Sequence, residues 1–224
     1  MNTDAFSGRA EAYTKARPGY PDEAVEYIRS LIPQDAVLAD IGAGTGKFTE
    51  LLARFGYKIF AVEPNTDMLK QLLITLAPFP NAKIVEGMAE PTKLPDHCID
   101  VITNAQALNR FDLDTFKSEC LRIGKPNPIV ITVYNDDEAK GSSRYKKSTG
   151  DFYRNPIIRK FPNPVLFSRE KWLLYFLSME GVPQETDSGY EAYTKELNEK
   201  FDRDSVDKIL CLNLVTYVYS EKLY

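Results

Sequence analysis

The stretch ADIGAGTGKF (39–48) places glycines at positions 42, 44 and 46, between a hydrophobic segment and an amphipathic one. The segment before it, AVLADIG (36–42), has the length and composition of a buried β-strand. The segment after it, GKFTELLARFG (46–56), is typical of a helix that ends at a glycine. Glycines between a strand and a helix let the backbone turn sharply and let a ligand approach main-chain atoms. The stretch therefore predicts a ligand site at the end of a strand.

Two common glycine-rich motifs do not fit this spacing. A nucleoside-triphosphate loop, GxxxxGK[ST], needs a glycine at position 41 and a hydroxyl at 48, where the chain has Ile41 and Phe48. A dinucleotide fingerprint, GxGxxG, needs a glycine at position 47, where the chain has Lys47. A ligand that contains adenosine without a phosphate fits better. A dehydrogenase is a third functional alternative, and Lys47 argues against it.

Glu63 supports an adenosine ligand. It ends the next predicted strand, KIFAVEP (58–64), and an acidic residue about 20 positions after the first glycine binds ribose hydroxyls in folds of this type. A carboxylate near the ligand also suits a cationic sulfonium better than it suits phosphates.

The rest of the chain alternates between predicted strands and helices, which indicates a parallel sheet with helices on both faces. The pattern fails between residues 137 and 203, where only SREKWLLYFLSM (168–179) predicts a helix, with Ser168 as its N-cap. The C-terminal KILCLNLVTYVYSEKLY (208–224) predicts a closing strand. We therefore predict one domain, 1–224, with a helical N-terminal lid over 1–30 and an inserted cap over 137–203 that binds substrate.

Composition excludes several partner classes. The 224 residues carry a net charge of −4 and a pI of about 5.2, which argues against a general attraction to nucleic acid or to anionic membranes. No apolar run approaches the roughly 20 residues of a membrane span, and the first residues lack the apolar centre of a signal peptide. Three widely spaced cysteines predict reduced thiols. We expect a cytoplasmic protein without a metal centre, and its oligomeric state is not predicted.

Four stretches carry a family resemblance: FSGRAEAYTKARPGYP (6–21), LADIGAGTGKFT (38–49), VEPNTDML (62–69) and EGMAEPTKLPDHCIDVITNAQAL (86–108). In this order they resemble the class I S-adenosylmethionine-dependent methyltransferases. Within that family the chain is similar to the methyltransferase type 11 branch, which includes trans-aconitate methyltransferases. Members there often read AQAFHWFD where this chain reads AQALNRFD (105–112).

The resemblance implies a Rossmann-like, mostly parallel sheet of seven strands, with the last strand antiparallel and the cap after strand five. It implies S-adenosyl-L-methionine as cofactor, above the carboxyl ends of strands one to four. Glu63 would hold the ribose, and Tyr13 and Arg17 would close over the cofactor, with Arg17 suited to a carboxylate. The cofactor-binding residues implied in this way are Tyr13, Arg17, Gly42, Ala43, Gly44, Glu63, Pro64, Met68, Ala89, Glu90, Asn104, Ala105 and Gln106.

Two functional hypotheses follow. The first is an enzyme that transfers a methyl group to a small molecule; the second is an S-adenosylmethionine-binding protein that acts as a regulator or partner module without transfer. Asn109 and Arg110 replace the His-Trp of many relatives, and the lone His97 precedes the fourth strand, so no histidine is predicted to act as a base. An acceptor that is already anionic, a carboxylate or an enol, would need none, and Gln106, Asn109 and Arg110 are the candidates to orient it. No catalytic residue is assigned.

Overall fold

The computed structural model describes residues 8–137 and 144–224. The first seven residues of the predicted lid and residues 138–143 of the predicted cap lie outside the described residues.

Within these ranges the chain forms seven strands and eight α-helices. The strands are β1 (Val37–Ile41), β2 (Lys58–Glu63), β3 (Ala82–Glu86), β4 (Ile99–Ala105), β5 (Gly124–Asp136), β6 (Ile157–Phe167) and β7 (Leu210–Lys222). The helices are α1 (Ala10–Ala16), α2 (Asp22–Leu31), α3 (Lys47–Ala53), α4 (Thr66–Leu76), α5 (Leu113–Ile123), α6 (Arg144–Phe152), α7 (Arg169–Leu177) and α8 (Tyr190–Asp204). None of these helices is both long and apolar enough to cross a lipid bilayer.

All seven strands belong to one sheet, in the order β3-β2-β1-β4-β5-β7-β6. The pairs from β3 to β5 are parallel, and β7 runs antiparallel to both β5 and β6. The predicted Rossmann-like fold, with an antiparallel last strand, is confirmed. Because β1 to β5 are parallel, their carboxyl ends and the loops that follow them meet at one edge of the sheet.

The central strands are buried on both faces, which explains their continuous hydrophobic runs. On one face Leu38 of β1 packs in a cluster with Ile28 of α2 and Leu52 of α3. On the other face its neighbour Ala39 belongs to a cluster with Phe116 of α5 and Phe152 of α6. Helices therefore cover both sides of the sheet.

Part of the predicted cap belongs to the sheet. Residues 157–167 form β6, an edge strand, and the sequence pattern predicts neither α6 nor α8. Most β6 side chains are exposed, and Pro162 and Pro164 interrupt its strand pattern; proline is tolerated there because an edge strand has one unpaired side. Helix α8 buries only Leu197 and Phe201, against α7, so its charged sequence shows little periodicity. The division into lid, core and cap stays a prediction.

The predicted α7 helix begins one residue after Ser168, whose side chain accepts a hydrogen bond from the N–H of Lys171 at 3.3 Å. Ser168 is therefore the N-cap, as predicted. Two further helices begin with polar caps just after strands or turns at the carboxyl edge of the sheet: Asn65 caps α4 and Asp112 caps α5. These caps fix the loops that surround the predicted ligand site.

Candidate functional site

The glycine loop after β1 uses its three glycines for two different purposes. All three have positive φ: +73° at Gly42, +58° at Gly44 and +85° at Gly46. A Cβ at Gly42 would lie 2.8 Å from Cβ of Ala107, and one at Gly46 would lie 2.7 Å from Cδ1 of Leu72. A Cβ at Gly44 would meet nothing within 4 Å. Gly42 and Gly46 thus allow close packing, whereas Gly44 leaves open space beside the backbone.

Glu63, at the end of β2, is linked directly to this loop. Its Oε2 accepts a hydrogen bond from the N–H of Gly44, and its Oε1 accepts one from the N–H of Asn65, both at 2.9 Å. Glu63 is only 6% exposed, and burial raises its pKa, although the two N–H groups oppose that effect. A carboxylate offers about four lone-pair positions, so Glu63 can accept further hydrogen bonds from a ligand.

Asp40 is a site residue that the sequence analysis missed. It is 1% exposed, and its carboxylate accepts hydrogen bonds from the hydroxyls of Thr49 (2.5 Å) and Thr103 (2.9 Å). Burial raises the pKa of Asp40 to about 6, and the two hydroxyls limit that rise. The signal was available: an acidic residue interrupts a buried hydrophobic strand two positions before Gly42.

The C-terminal end of α1 lies over the glycine loop. The Arg17 guanidinium lies 4.9 Å from the ring centroid of Tyr13 and 5.4 Å from that of Tyr175, and it donates to the carbonyl of Ser178 at 3.3 Å. The ammonium of Lys47, at the start of α3, donates to the carbonyl of Arg17. Burial lowers the pKa of Lys47. The two predicted lid residues, Tyr13 and Arg17, therefore lie side by side.

Arg9 connects α1 to the end of α7. Its guanidinium donates to the carbonyls of Leu177 (3.2 Å), Met179 and Val182 (2.8 Å). The last carbonyls of a helix have no partner within the helix, and they attract cations. Arg9 therefore holds the N-terminal segment against α7.

A cavity of about 300 Å³ lies between the glycine loop, α1 and α7. It opens at the carboxyl edge of the sheet, where the sequence analysis placed the site. Seven of the predicted cofactor residues line it: Tyr13, Arg17, Gly42, Ala43, Gly44, Ala105 and Gln106.

Six predicted cofactor residues do not line this cavity: Glu63, Pro64, Met68, Ala89, Glu90 and Asn104. Glu63 contacts the loop, as described above. The side chain of Asn104 is fully buried, and its Nδ2 donates to Thr132 Oγ1 at 3.0 Å, inside the sheet.

The backbone of Gln106, just after β4, has an uncommon left-handed conformation. Its φ is +61°, a conformation that is rare for a residue with a side chain, and its N–H donates to the carbonyl of Val133 at 2.9 Å. Tyr20 also lines the cavity, and burial raises the pKa of its hydroxyl. Gln106 is the one predicted substrate residue among the cavity walls.

The other two predicted substrate residues do not line the cavity. Arg110 forms an ion pair with Glu180, at 3.0 Å, in the turn after α7. Asn109 is partly buried beside it and does not line the cavity. His97 is exposed at the start of β4, with Nδ1 3.0 Å from the carbonyl of Gly124, and therefore at the opposite edge of the sheet. Its predicted exclusion from the site agrees with this position.

Buried polar atoms without a partner surround the predicted cofactor position. Among the described residues, five such side-chain atoms have no hydrogen-bond partner: Arg17 Nε, Thr45 Oγ1, Glu90 Oε2, Asn104 Oδ1 and Asn109 Oδ1. Arg17 directly follows α1, and the other four residues lie at the carboxyl edge of β1, β3 and β4. Unpaired buried polar atoms are costly, so this distribution fits a ligand with many polar groups. Within residues 8–137 and 144–224, no group of three or more His, Cys, Asp and Glu side chains is arranged to hold a metal ion.

Comparisons with known proteins identify the family of the chain. The methyltransferase domain family matches residues 39–132. An uncharacterized methyltransferase-like protein of Schizosaccharomyces pombe is 31% identical over 174 residues, which cover 72% of this chain and 67% of that protein. The chain belongs to the class I S-adenosylmethionine-dependent methyltransferases.

The extent of the likeness is limited for other members of the family. An uncharacterized methyltransferase of Mycobacterium tuberculosis is 34% identical over 139 residues, 61% of this chain and 55% of that protein. This methyltransferase-family chain thus spans little more than half the length of the first curated relatives that it matches. A solved structure from Anaeromyxobacter dehalogenans, assigned as a type II methyltransferase, has the same fold, with a TM-score of 0.67, 20% identity and coverage of 92% and 97% of the two chains.

Proposed function

We propose that the protein transfers a methyl group from S-adenosylmethionine to a small molecule. The observation that carries the proposal is the contact between Glu63 and the N–H of Gly44. This contact brings a carboxylate that can accept hydrogen bonds from ribose hydroxyls to a glycine turn with open space beside it. Four unpaired polar groups, on the surrounding loops and just after α1, suit a ligand as polar as this cofactor. They are Arg17 Nε, Thr45 Oγ1, Glu90 Oε2 and Asn109 Oδ1.

The chain's own residues fit the parts of the cofactor. Glu63 has acceptor capacity left for the ribose hydroxyls, and Arg17 retains an unpaired Nε for the methionine carboxylate. Asp40 supplies buried negative charge beside the glycine loop, which suits a cationic sulfonium. When bound, the cofactor supplies an activated methyl group. The protein's task is then to orient the acceptor and to exclude water, which α1 and α7 do by covering the cavity.

Membership of the trans-aconitate-like branch and an anionic acceptor remain predictions. The anionic acceptor depended on Arg110, Gln106 and Asn109 acting together. Arg110 is already paired with Glu180, and only Gln106 lines the cavity, so the geometry does not favour that arrangement. The alternative hypothesis, a cofactor-binding protein without transfer, uses the same cofactor residues and differs only in the absence of an acceptor reaction.

Two measurements test the proposal. Calorimetric titration with S-adenosylmethionine, S-adenosylhomocysteine and NAD should give micromolar binding of the first two and none of the third. Turnover with a methyl-labelled donor against a metabolite pool should then label a small molecule. Absence of binding contradicts both functional hypotheses, whereas binding without any labelled product favours the binding module over the enzyme.

A further inference from the structure

The cavity has two walls of different origin. The glycine loop, α1 and the turn after β4 form the wall that the cofactor proposal uses. The opposite wall comes from the end of β5, from α6 and α7, and from the start of β7. Its residues include Asp136, Tyr145, Tyr175, Met179, Leu212 and Leu214. We call this set the acceptor wall.

The acceptor wall carries no positive charge among its described residues. The basic side chains that line the described cavity are Arg17 and Lys47, both on the opposite wall. The Lys47 ammonium donates to the Arg17 carbonyl, and the Arg17 guanidinium lies between two tyrosine rings and donates to Ser178. An anionic acceptor would therefore meet no basic partner on the described acceptor wall.

A rigid aromatic surface forms one side of the acceptor wall. The rings of Tyr145 and Tyr134 stack with centroids 4.8 Å apart and an interplanar angle of 16°. Tyr134 stacks in turn on Tyr217, at 5.1 Å, and on Tyr219, at 5.6 Å. The ring of Tyr145 is thus held by a layer of other rings, and aromatic faces attract both apolar groups and cations.

A carboxylate lies beside that surface. The carboxylate of Asp136, at the end of β5, accepts a hydrogen bond from the N–H of Asp137 at 3.0 Å and forms no ion pair with any described residue. The acceptor wall therefore offers a negative charge to a ligand beside the aromatic surface.

We infer that the acceptor is an amine with an aromatic or aliphatic body, recognised by the Asp136 carboxylate and the ring of Tyr145. This inference rests on the proposed function and names the substrate class of that site. An aromatic face combined with a carboxylate is a usual recognition site for an ammonium group. Met179, Leu212 and Leu214 suit the apolar body.

The reaction balances without a histidine. The bound ammonium first releases a proton to solvent, and the lone pair of the neutral amine forms the N–C bond while the C–S bonding pair stays on sulfur. One N–H proton of the methylated ammonium then leaves to solvent. Asp136 accepts a hydrogen bond from the amine N–H throughout, so it orients the nitrogen and is a binding residue.

The test compares three probes of the same shape and different charge. Phenethylamine, 2-phenylethanol and 3-phenylpropanoate are titrated by NMR into protein saturated with S-adenosylhomocysteine. We expect the amine to bind roughly tenfold more tightly than the acid, which corresponds to one favourable charge contact. Asp136→Asn should remove that preference. Tyr145→Leu should weaken binding of the amine more than binding of the alcohol. Asp35→Asn, an exposed carboxylate before β1 at the other edge of the sheet, is the matched control and should change nothing.

The outcomes separate this inference from the proposed function. Absence of S-adenosylhomocysteine binding overturns the proposed function. Normal S-adenosylhomocysteine binding, with an amine that binds no better than the acid or not at all, overturns the amine acceptor alone. An amine preference that persists in Asp136→Asn, with thermal unfolding unchanged, overturns the role of Asp136.

Discussion

The two walls of the cavity are built in different ways. The cofactor side consists of short loops at the ends of β1 to β4, in which backbone shape decides the geometry: three glycines with positive φ and a Gln106 with φ of +61°. The acceptor side consists of side chains from β5, α6, α7 and β7, which are far apart in the sequence. Backbone shape demands particular residues at particular spacings, whereas a side-chain wall can be built from many sequences. A cofactor side can therefore be predicted from local sequence, and an acceptor side cannot.

The largest expected effect is on stability, and it tests whether the backbone conformation and packing of the glycine loop require glycine. Gly46→Ala combines a left-handed φ with a contact of 2.7 Å to Leu72, so it should lower the free energy of unfolding by about 2–5 kcal/mol. Gly44→Ala meets no atom within 4 Å and should cost about 1–2 kcal/mol from backbone strain alone. Urea denaturation of both variants measures the difference.

The order of the two variants should differ between their stability and their affinity for S-adenosylhomocysteine. Gly44→Ala places a methyl group in the open space beside the loop, so it should weaken S-adenosylhomocysteine binding in calorimetry although it folds well. Equal stability losses for the two variants would contradict the separation of packing and ligand roles among the glycines.

The next effect concerns the buried charge on the cofactor side. Because burial raises the pKa of Asp40 from 3.8 to about 6, the folded protein binds this proton more tightly than the unfolded chain does. The contribution of Asp40 to stability therefore falls as the pH rises from about 4 to 6, by up to about 3 kcal/mol, and is constant above that range. Asp40→Asn does not titrate, so the stability of the parent relative to this variant should fall over the same range.

Denaturation of both proteins at pH 4.5 and pH 7.5 measures this change. Glu90, whose pKa is also raised by burial, is present in both proteins, and its effect cancels in the comparison. The charge of Asp40 adds to the raised pKa of Glu63, so Glu63 contributes a change of the same sign. A difference in stability that is independent of pH would mean that Asp40 keeps an ordinary pKa.

Those parts of the molecule that depend on short sequence spacings could be predicted from the sequence. The glycine loop, Glu63 at the end of β2 and the Ser168 cap all follow from short spacings. Asp40 could also have been predicted, because a charge inside a buried strand is costly unless it has hydrogen-bond partners. The ion pair of Arg110 with Glu180 joins residues 70 positions apart, and no spacing predicts it.

Elements that depend on distant partners were missed for the same reason. β6 is a strand because β7 pairs with it along its whole length, and most of its own side chains are exposed. Tyr145 becomes part of the cavity because Tyr134 stacks against it. Neither fact is present in the periodicity of the segment concerned.

A middle-sized effect tests the ribose role of Glu63. Glu63→Ala should weaken S-adenosylhomocysteine binding by about 1.5–3 kcal/mol, the range for hydrogen bonds to a charged group. Glu86→Ala is the matched control, because Glu86 pairs in register with Glu63 at the end of β3 but is exposed. Calorimetry should show a change below about 0.5 kcal/mol for the control. Equal affinities for the parent and Glu63→Ala would mean that the ribose binds elsewhere.

The smallest effect concerns the link between the two sides of the cavity. Arg9 and Arg17 donate to carbonyls at the end of α7, which carries Tyr175 of the acceptor wall, so closure of the N-terminal segment should also order that wall. S-adenosylhomocysteine should slow hydrogen exchange both in residues 8–20 and in residues 174–182. Arg9→Ala should lower the local opening free energy of both segments by about 1 kcal/mol. Arg169→Ala, at the other end of α7, is the control, since its partners Asn198 and Asp202 lie on α8. Protection confined to residues 8–20 would show that the cofactor and acceptor sides order independently. In that case the acceptor wall would be formed before the cofactor binds.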